Sequence, residues 1–173
     1  MLEAVIFDFG HTIMDELQNR EVPLRYRPIA LMPGVEDTLP RIRARMGIWA
    51  NTKKAKEAGL RRWLVRADIN KYFACVVTSV EAGFRKPDAR FFAYALARCG
   101  LRKNEILFVG NQLSTDIEGA SAFGIASVWL SGARFRSPDD TGTATGVKPT
   151  YTIGGLEELP DLVIKLQRKN RAE

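Results

Sequence analysis

The stretch ILFVGNQLSTDIEGASAFGIASVWL (residues 106–130) contains two apolar runs separated by a helical pattern. The runs ILFV and IASVWL have the length of strands and little polar alternation, which favours strands covered on both faces. Between them we predict a helix that opens at Thr115, with Glu118 as its capping-box partner, and ends at Gly124. A strand, a helix and a second strand in succession are typical of a parallel α/β sheet.

The same alternation extends through the rest of the chain. Further apolar runs of strand length lie at 4–7, 46–50 and 74–77, and a short final strand is predicted at 151–153. Helical spacing of apolar residues is found at 35–46, 60–67 and 92–99, and a last helix is predicted from Leu156. This order predicts an α/β fold, with a doubly wound parallel sheet between two helical layers.

Length and composition indicate one compact domain over residues 1–173. Hydrophobic residues make up 46% and charged residues 27%, close to ordinary globular usage, which argues against disorder, collagen-like repetition and a disulfide scaffold. Three segments lack clear periodicity: a flap or loop at 13–33, a mobile loop at 131–149 and a frayed basic tail at 164–173.

Charge and hydropathy restrict the partners. Lys and Arg total 26 against 20 acidic residues, a net charge of +6, which favours anionic partners such as phosphorylated molecules. The sequence shows no interleaving of aromatic and basic residues, so a nucleic-acid partner is disfavoured. No apolar stretch approaches the roughly 18 residues that span a membrane, and the start MLEAVIFDFG lacks secretory signal features. We therefore expect a cytoplasmic protein without membrane contact.

The two cysteines, Cys75 and Cys99, lie in a strand-like run and in a helical pattern. They form no C-x-x-C pair, and the chain has a single histidine, so a cysteine zinc site is excluded. We expect reduced, buried thiols and not a disulfide.

Polar residues follow the predicted strands where those strands end. Asp8 follows the first strand, Asn51 the second, and Lys86 the third by a short distance, while Asn111 and Asp116 follow the fourth. Ligands of open α/β sheets bind beyond the carboxyl ends of the strands, so these side chains are expected to converge. Carboxylate and amide oxygens suit Mg²⁺, and a lysine suits phosphate, so the pattern indicates a site for a metal ion and an anion.

Four segments carrying these residues resemble the haloacid dehalogenase-like (HAD) hydrolase superfamily, in its phosphoglycolate phosphatase-like branch. They are VIFDFGHTI (5–13), IWANTKKA (48–55), SVEAGFRKPDARFFAYAL (79–96) and ILFVGNQLSTDIEGASAFGI (106–125), with YTIGGLEELPDLV (151–163) similar to the usual C-terminal end. The resemblance covers most of the chain and implies a Rossmann-like, three-layer core.

The resemblance implies covalent catalysis by Asp8. This carboxylate would attack a phosphoryl group and form an aspartyl-phosphate, which water then hydrolyses. Lys86 would stabilise the charged intermediate, and Asn51 and Thr12 would position the phosphoryl oxygens or the nucleophile. The implied substrate is a phosphomonoester.

The resemblance also implies a Mg²⁺ cofactor. Its ligands would be Asp8, the backbone carbonyl of Gly10, and the motif formed by Asn111 and Asp116. Two structural alternatives stay open, since Asn111 could instead cap the following helix and Asp116 could be a favourable first-turn acid.

Three positions depart from the family pattern. Gly10 stands where a second aspartate acts as general acid and base, a loss that commonly costs about 10²–10⁴-fold in rate. Ala50 replaces a Ser or Thr that binds phosphate, and Asn111 replaces a charged metal ligand. His11 is a candidate substitute acid, because its imidazole titrates near neutral pH, but the favoured interpretation is a turn residue that points away from the nucleophile.

The spacing of the motifs leaves no room for a sizeable cap domain. An open crevice suggests a large phosphorylated substrate, or closure by a partner subunit in an oligomer. Three functions follow: a Mg²⁺-dependent phosphomonoester hydrolase, a degenerate phosphate-binding or interaction module, and a carbon–halogen hydrolase. The last also lacks the second aspartate and needs no metal, but a capless crevice would hold a small haloacid poorly.

Overall fold

The computed structural model describes residues 1–16, 22–136 and 146–172. Within these ranges the chain forms a six-stranded sheet whose neighbouring strands are all parallel. The strands are β1 (Ala4–Phe7), β2 (Arg45–Ala50), β3 (Phe73–Thr78), β4 (Ile106–Gly110), β5 (Ala126–Leu130) and β6 (Tyr151–Ile153). Their order across the sheet is β3-β2-β1-β4-β5-β6. The sheet grows outward from β1 in both directions, so the predicted doubly wound parallel sheet is confirmed.

Helices cover both faces of this sheet. In the described residues they are α1 (Val35–Thr38), α2 (Glu57–Arg66), α3 (Ser79–Ala82), α4 (Ala89–Cys99), α5 (Glu118–Phe123) and α6 (Leu159–Ala172). Alternate residues of β1 enter two separate cores: Val5 and Phe7 lie with apolar residues of α1, α2 and α6. Ala4 and Ile6 lie instead with residues of α3, α4 and α5. Because helix layers cover both faces of the central strands, β1 and β4 are buried at every position, and β2 is buried except at Arg45.

The helix predicted over 35–46 is wrong in its second half. The α-helix α1 passes into a single 3₁₀ turn at Leu39–Arg41, and Ile42 is already extended. Pro40 lies in that turn, and its ring removes the backbone N–H that a continuing α-helix needs. The later part of the apolar spacing therefore belongs to β2.

The capping box predicted at Thr115 is also wrong. A π-helical turn at Leu113–Ile117 precedes α5, and its N-cap residue is Gln112. The Thr115 hydroxyl donates to the side-chain oxygen of Gln112 at 2.9 Å instead of capping a helix start. The predicted end is correct, because Gly124 adopts a left-handed conformation with φ 83° as the C-cap.

The two cysteines form a disulfide between Cys75 and Cys99, which corrects the expectation of reduced thiols. Cys75 lies on β3 and Cys99 is the last residue of α4. Because α4 packs across the sheet beside β3, the fold brings the two sulfur atoms together. This proximity is set by the packing angle of the helix and has no signal in the local sequence.

The irregular segments are only partly described. A 3₁₀ turn at Leu24–Tyr26 lies in the predicted flap, and residues 17–21 are outside the described part. Of the loop at 131–149, residues 137–145 are also outside it. The basic tail expected to fray lies in α6 as far as Ala172. No helix in the described ranges is long and apolar enough to span a membrane. That the chain lacks a larger cap stays a prediction.

Candidate active site

The site lies beyond the carboxyl ends of the three central strands, β2, β1 and β4. Asp8 directly follows β1, and its backbone N–H donates to the carbonyl of Val109 on β4 at 2.8 Å. This hydrogen bond extends the sheet pairing by one residue and fixes the Asp8 backbone. Asn51 and Asn111 directly follow β2 and β4, so parallel pairing with β1 sets all three residues at one edge of the sheet.

The Lys86 ammonium lies at the centre of the site between two carboxylates. Its Nζ donates to Asp8 Oδ1 at 2.6 Å and to Asp116 Oδ1 at 2.8 Å. The side chains of Lys86 and Asp116 are each 1% exposed, and that of Asp8 is 12% exposed. Lys86 Nζ also lies 5.0 Å from the centre of the Phe108 ring, a favourable cation–π distance. The sequence prediction that Asp8, Lys86 and Asp116 converge agrees with this geometry.

Burial and charge shift the pKa values in this cluster. Loss of solvent, with repulsion from Asp116, raises the pKa of Asp8 to about 7, although attraction and hydrogen bonding by Lys86 act in the opposite direction. For Lys86, burial alone lowers the pKa, but attraction by Asp116 and Asp8 and their hydrogen bonds outweigh it, and the net pKa is raised. Lys86 is therefore a permanent cation beside a carboxyl group that changes charge near neutral pH.

Asn51 holds the backbone of Lys86. Its amide nitrogen donates to the Lys86 carbonyl at 2.9 Å, and its amide oxygen accepts from the Lys86 N–H at 2.9 Å. Both ends of the side chain are thus used in fixing the loop that carries the lysine. The family resemblance implies that Asn51 positions phosphoryl oxygens or the nucleophile, and this stays a prediction; the observed contacts of its side chain are with the Lys86 backbone.

Asn111 connects the turn after β1 to the segment after β5. Its Oδ1 accepts a hydrogen bond from the Thr12 hydroxyl at 3.3 Å, and its Nδ2 donates to the Phe135 carbonyl at 2.7 Å. These side-chain bonds lead to the turn after β1 and to the segment after β5, not to the helix that follows β4. The amide is needed here because a carboxylate could not donate to the Phe135 carbonyl.

The π-helical turn holds the Asp116 side chain close to the backbone of Gln112 and Gly110. Its Oδ2 accepts from the Gln112 backbone N–H at 3.1 Å, while Oδ1 faces Lys86. A Cβ on Gly110 would lie 2.5 Å from Asp116 Oδ2, so only glycine allows this approach. Because both carboxylate oxygens already accept hydrogen bonds, Asp116 is arranged to hold Lys86.

The available donors around Asp8 suit a hard cation. No group of three or more His, Cys, Asp or Glu residues within 1–16, 22–136 and 146–172 is arranged to hold a metal ion. The oxygens of Asp8, the Gly10 carbonyl and Asn111 Oδ1 nevertheless form an all-oxygen set, and Mg²⁺ commonly uses one or two carboxylates together with substrate phosphate. The chemistry of these donors suits Mg²⁺, and the role of Asp116 as a further ligand stays a prediction.

The turn after Gly10 contains His11 and leads to Glu16, a residue that no sequence motif predicted. His11 adopts a left-handed conformation with φ 54° and is buried, which makes it a turn residue. Across from Gly10 lies the carboxylate of Glu16, 2.8 Å from the position that a Cβ on residue 10 would occupy. Sequence spacing carries no signal for this contact, because it depends on how the turn folds back.

Comparison with known proteins identifies the family. The model of the haloacid dehalogenase-like hydrolases matches residues 2–124. The chain is 33% identical over 137 residues to the pyrimidine 5'-nucleotidase YjjG of Escherichia coli, which covers 78% of this chain and 57% of that protein. It is 26% identical over 165 residues to (S)-2-haloacid dehalogenase 1 of a Pseudomonas species, which covers 95% of this chain and 70% of that one.

Among solved structures, an uncharacterized protein from Listeria monocytogenes serotype 4b superposes with a TM-score of 0.82 at 26% identity. The match covers 96% of this chain and 99% of that one. The chain spans about half the length of the curated phosphatase and nucleotidase relatives it matches. With four motifs meeting at one edge of a parallel sheet and a family match over most of its length, the chain belongs to the haloacid dehalogenase-like hydrolases.

Proposed function

We propose that this protein hydrolyses phosphomonoesters through a covalent phosphate on Asp8. The observation that carries the proposal is the buried Lys86 ammonium, which lies 2.6 Å from the Asp8 carboxylate beyond the carboxyl ends of the central strands. An oxygen of Asp8 attacks phosphorus, and the bond from phosphorus to the ester oxygen breaks, with a proton going to the departing alcohol. Water then attacks the aspartyl-phosphate, releases inorganic phosphate and regenerates Asp8.

Lys86 supplies charge where the reaction needs it. Its ammonium holds one Asp8 oxygen in place and offsets negative charge that the incoming phosphate adds. Asp116 holds Lys86 from the other side at 2.8 Å, and Asn51 holds its backbone. The cation is therefore fixed before the substrate binds, which avoids the cost of reorganisation during reaction.

Asp8, the Gly10 carbonyl and Asn111 would hold Mg²⁺. When bound, the ion neutralises phosphate charge and lowers the pKa of Asp8, which favours the ionised nucleophile. Thr12 supports this set, since its hydroxyl orients Asn111 Oδ1.

The departures from the family pattern favour a working site over a degenerate binding module. Asn111 forms two specific side-chain hydrogen bonds that account for an amide at this position. Gly10 faces the carboxylate of Glu16, six residues further along the chain. Burying a lysine between two carboxylates costs desolvation free energy unless each charge is paired and hydrogen-bonded. A site without a function would not be expected to retain such a cluster.

A carbon–halogen hydrolase is the second candidate. Similarity to a haloacid dehalogenase over 95% of the chain favours it, as does the glycine at position 10. In that reaction Asp8 would attack carbon and expel halide, with no phosphate and no metal. The net charge of +6 attracts anionic substrates of either kind, and the Lys86 ammonium beside Asp8 favours the more highly charged phosphomonoester.

The test measures phosphate release from 4-nitrophenyl phosphate, with and without Mg²⁺, for the wild type and for Asp8→Asn. Asp37→Asn, an exposed acid on α1, is the matched control. The proposal expects metal-dependent release that Asp8→Asn abolishes and Asp37→Asn retains. Release of chloride from 2-chloropropionate without phosphatase activity would establish the second candidate, and absence of both products would favour a binding module.

A further inference from the structure

We propose that Glu16 is the general acid and base of this site, in place of the side chain missing at position 10. The inference rests on the proposed phosphomonoester hydrolysis and assigns its proton transfers to one residue. Glu16 lies outside every motif that the sequence analysis identified, and it reaches the site only through the fold.

The position of the Glu16 carboxylate is the main evidence. A Cβ built on Gly10 would lie 2.8 Å from both Cδ and Oε2 of Glu16, and 3.1 Å from Oε1. A carboxylate carried by residue 10 would extend one bond beyond that Cβ, into the same volume. Glu16 thus fills the space that a second aspartate would take, and it presents the same functional group there.

The turn after β1 brings Glu16 to this place. The N–H groups of Ile13 and Met14 both donate to the Phe9 carbonyl at 2.9 Å, and the His11 N–H donates to the Met14 carbonyl at 2.7 Å. These bonds reverse the chain within six residues. Asp15 N–H then bonds to the Ala30 carbonyl at 2.9 Å, so the backbone entering Glu16 is fixed and runs back past Gly10.

An arginine orients the carboxylate while leaving it accessible. Arg27 Nη1 lies 3.6 Å from Glu16 Oε1, and the Arg27 guanidinium also donates twice to the Val22 carbonyl, at 3.3 and 3.1 Å. The Arg27 carbonyl in turn accepts from Arg66 on α2 at 3.1 Å. The Glu16 side chain is 29% exposed, so its carboxylate is open to water.

The carboxyl group of Glu16 suffices for both proton transfers of the reaction. As the phosphorus bonds to Asp8 and the ester bond breaks, the Glu16 carboxylic acid gives its proton to the departing alkoxide. The resulting Glu16 carboxylate then takes a proton from the water that attacks the aspartyl-phosphate. Phosphate leaves, and both carboxyl groups return to their starting state.

The test uses the leaving group as a probe. Glu16→Gln keeps the size of the side chain but removes its acid, and Glu36→Gln, an exposed glutamate on α1, is the matched control. With glycerol 2-phosphate, whose alkoxide needs a proton, we expect Glu16→Gln to lower kcat by about 10²–10⁴-fold. With 2,4-dinitrophenyl phosphate, whose phenolate needs none, we expect a burst of about one dinitrophenolate per site, followed by slow turnover as phosphorylated Asp8 accumulates.

A rescue variant separates an acid from a structural role. Glu16→Ala empties the space beside Gly10, and Glu16→Ala/Gly10→Asp returns a carboxyl group to it. We expect the double variant to recover at least tenfold of the glycerol 2-phosphate activity that Glu16→Ala loses. Gly10→Asp alone should lose activity, because its side chain meets the Glu16 carboxylate.

The outcomes distinguish this inference from the proposed function. Wild-type protein that releases no phosphate overturns both. Active wild type with Glu16→Gln within threefold of it on glycerol 2-phosphate, or with no burst on the dinitrophenyl ester, overturns the role of Glu16 alone. A loss shared equally by both substrates, with no rescue by the double variant, assigns Glu16 to folding and also overturns the inference.

Discussion

Replacing the buried Lys86 with Met should lower the free energy of unfolding more than replacing an exposed lysine with Met, because it leaves two buried carboxyl groups without their cation. At an effective dielectric constant of about 20, contacts of 2.6 and 2.8 Å each correspond to about 6 kcal/mol of Coulomb attraction. The desolvation of three charged groups offsets most of this attraction. We therefore expect the free energy of unfolding to fall by about 3–5 kcal/mol at pH 8, the usual cost of breaking a buried pair.

Urea denaturation measures this loss, with Lys54→Met, an exposed lysine, as the matched control. In the wild type the Asp8 carboxyl is mostly ionised at pH 8 and mostly protonated at pH 5, since its pKa is raised to about 7, and removing Lys86 raises this pKa further. The loss in Lys86→Met should therefore be smaller at pH 5. Adding Asp116→Asn to Lys86→Met should recover part of the loss, because one uncompensated charge is removed. A loss below about 1 kcal/mol at pH 8, or one equal to that of the control, would refute the role of this ion cluster.

Three further predictions follow from the same contacts. In metal-free buffer, between about pH 4 and 7, the folded protein keeps the Asp8 proton that the unfolded chain has released. The free energy of unfolding of the wild type should therefore fall, relative to that of Asp8→Asn, by up to about 4 kcal/mol as the pH rises through this range. Parallel pH profiles of urea stability for the two proteins would contradict the raised pKa of Asp8. Asn111→Asp should cost about 1–3 kcal/mol in urea unfolding, because it removes the donor to the Phe135 carbonyl, while tightening Mg²⁺ in a calorimetric titration; unchanged stability would argue against that hydrogen bond. Reducing the disulfide between Cys75 and Cys99, which lie 24 positions apart in the sequence, should lower the free energy of unfolding by about 3 kcal/mol, and a urea midpoint insensitive to reductant would rule this out.

The strands were predictable because their signal is local. Each central strand is an apolar run covered on both faces, and its alternation with helices leaves few possible sheet arrangements. Helix ends were predictable where a single residue decides them, as at Gly124. The helix over 35–46 was predicted too long because the apolar spacing at i, i+4 and i+7 was given more weight than Pro40, the single residue that ends the α-helix.

The members of the site were also predictable, but several of their contacts were not. Parallel topology alone places Asp8, Lys86 and Asp116 at one edge of the sheet. Whether Asn51 faces a phosphate or the Lys86 backbone depends on the loop after β3, and both of its bonds span 35 residues. The sequence supplied the residue types, and the loop conformation assigned their partners.

The sequence by itself determined the parallel sheet, its order of elements and the residues that meet at its edge, because apolar periodicity and chain order suffice for these. Only the tertiary structure decided that Glu16 stands beside Gly10, that Phe135 requires an amide at residue 111, and that the two cysteines are joined. The physical reason is that hydrogen bonds, ion pairs and disulfides act over a few ångströms. Such distances between residues far apart in the chain are set by turn conformation and helix packing, which no local pattern of residues encodes.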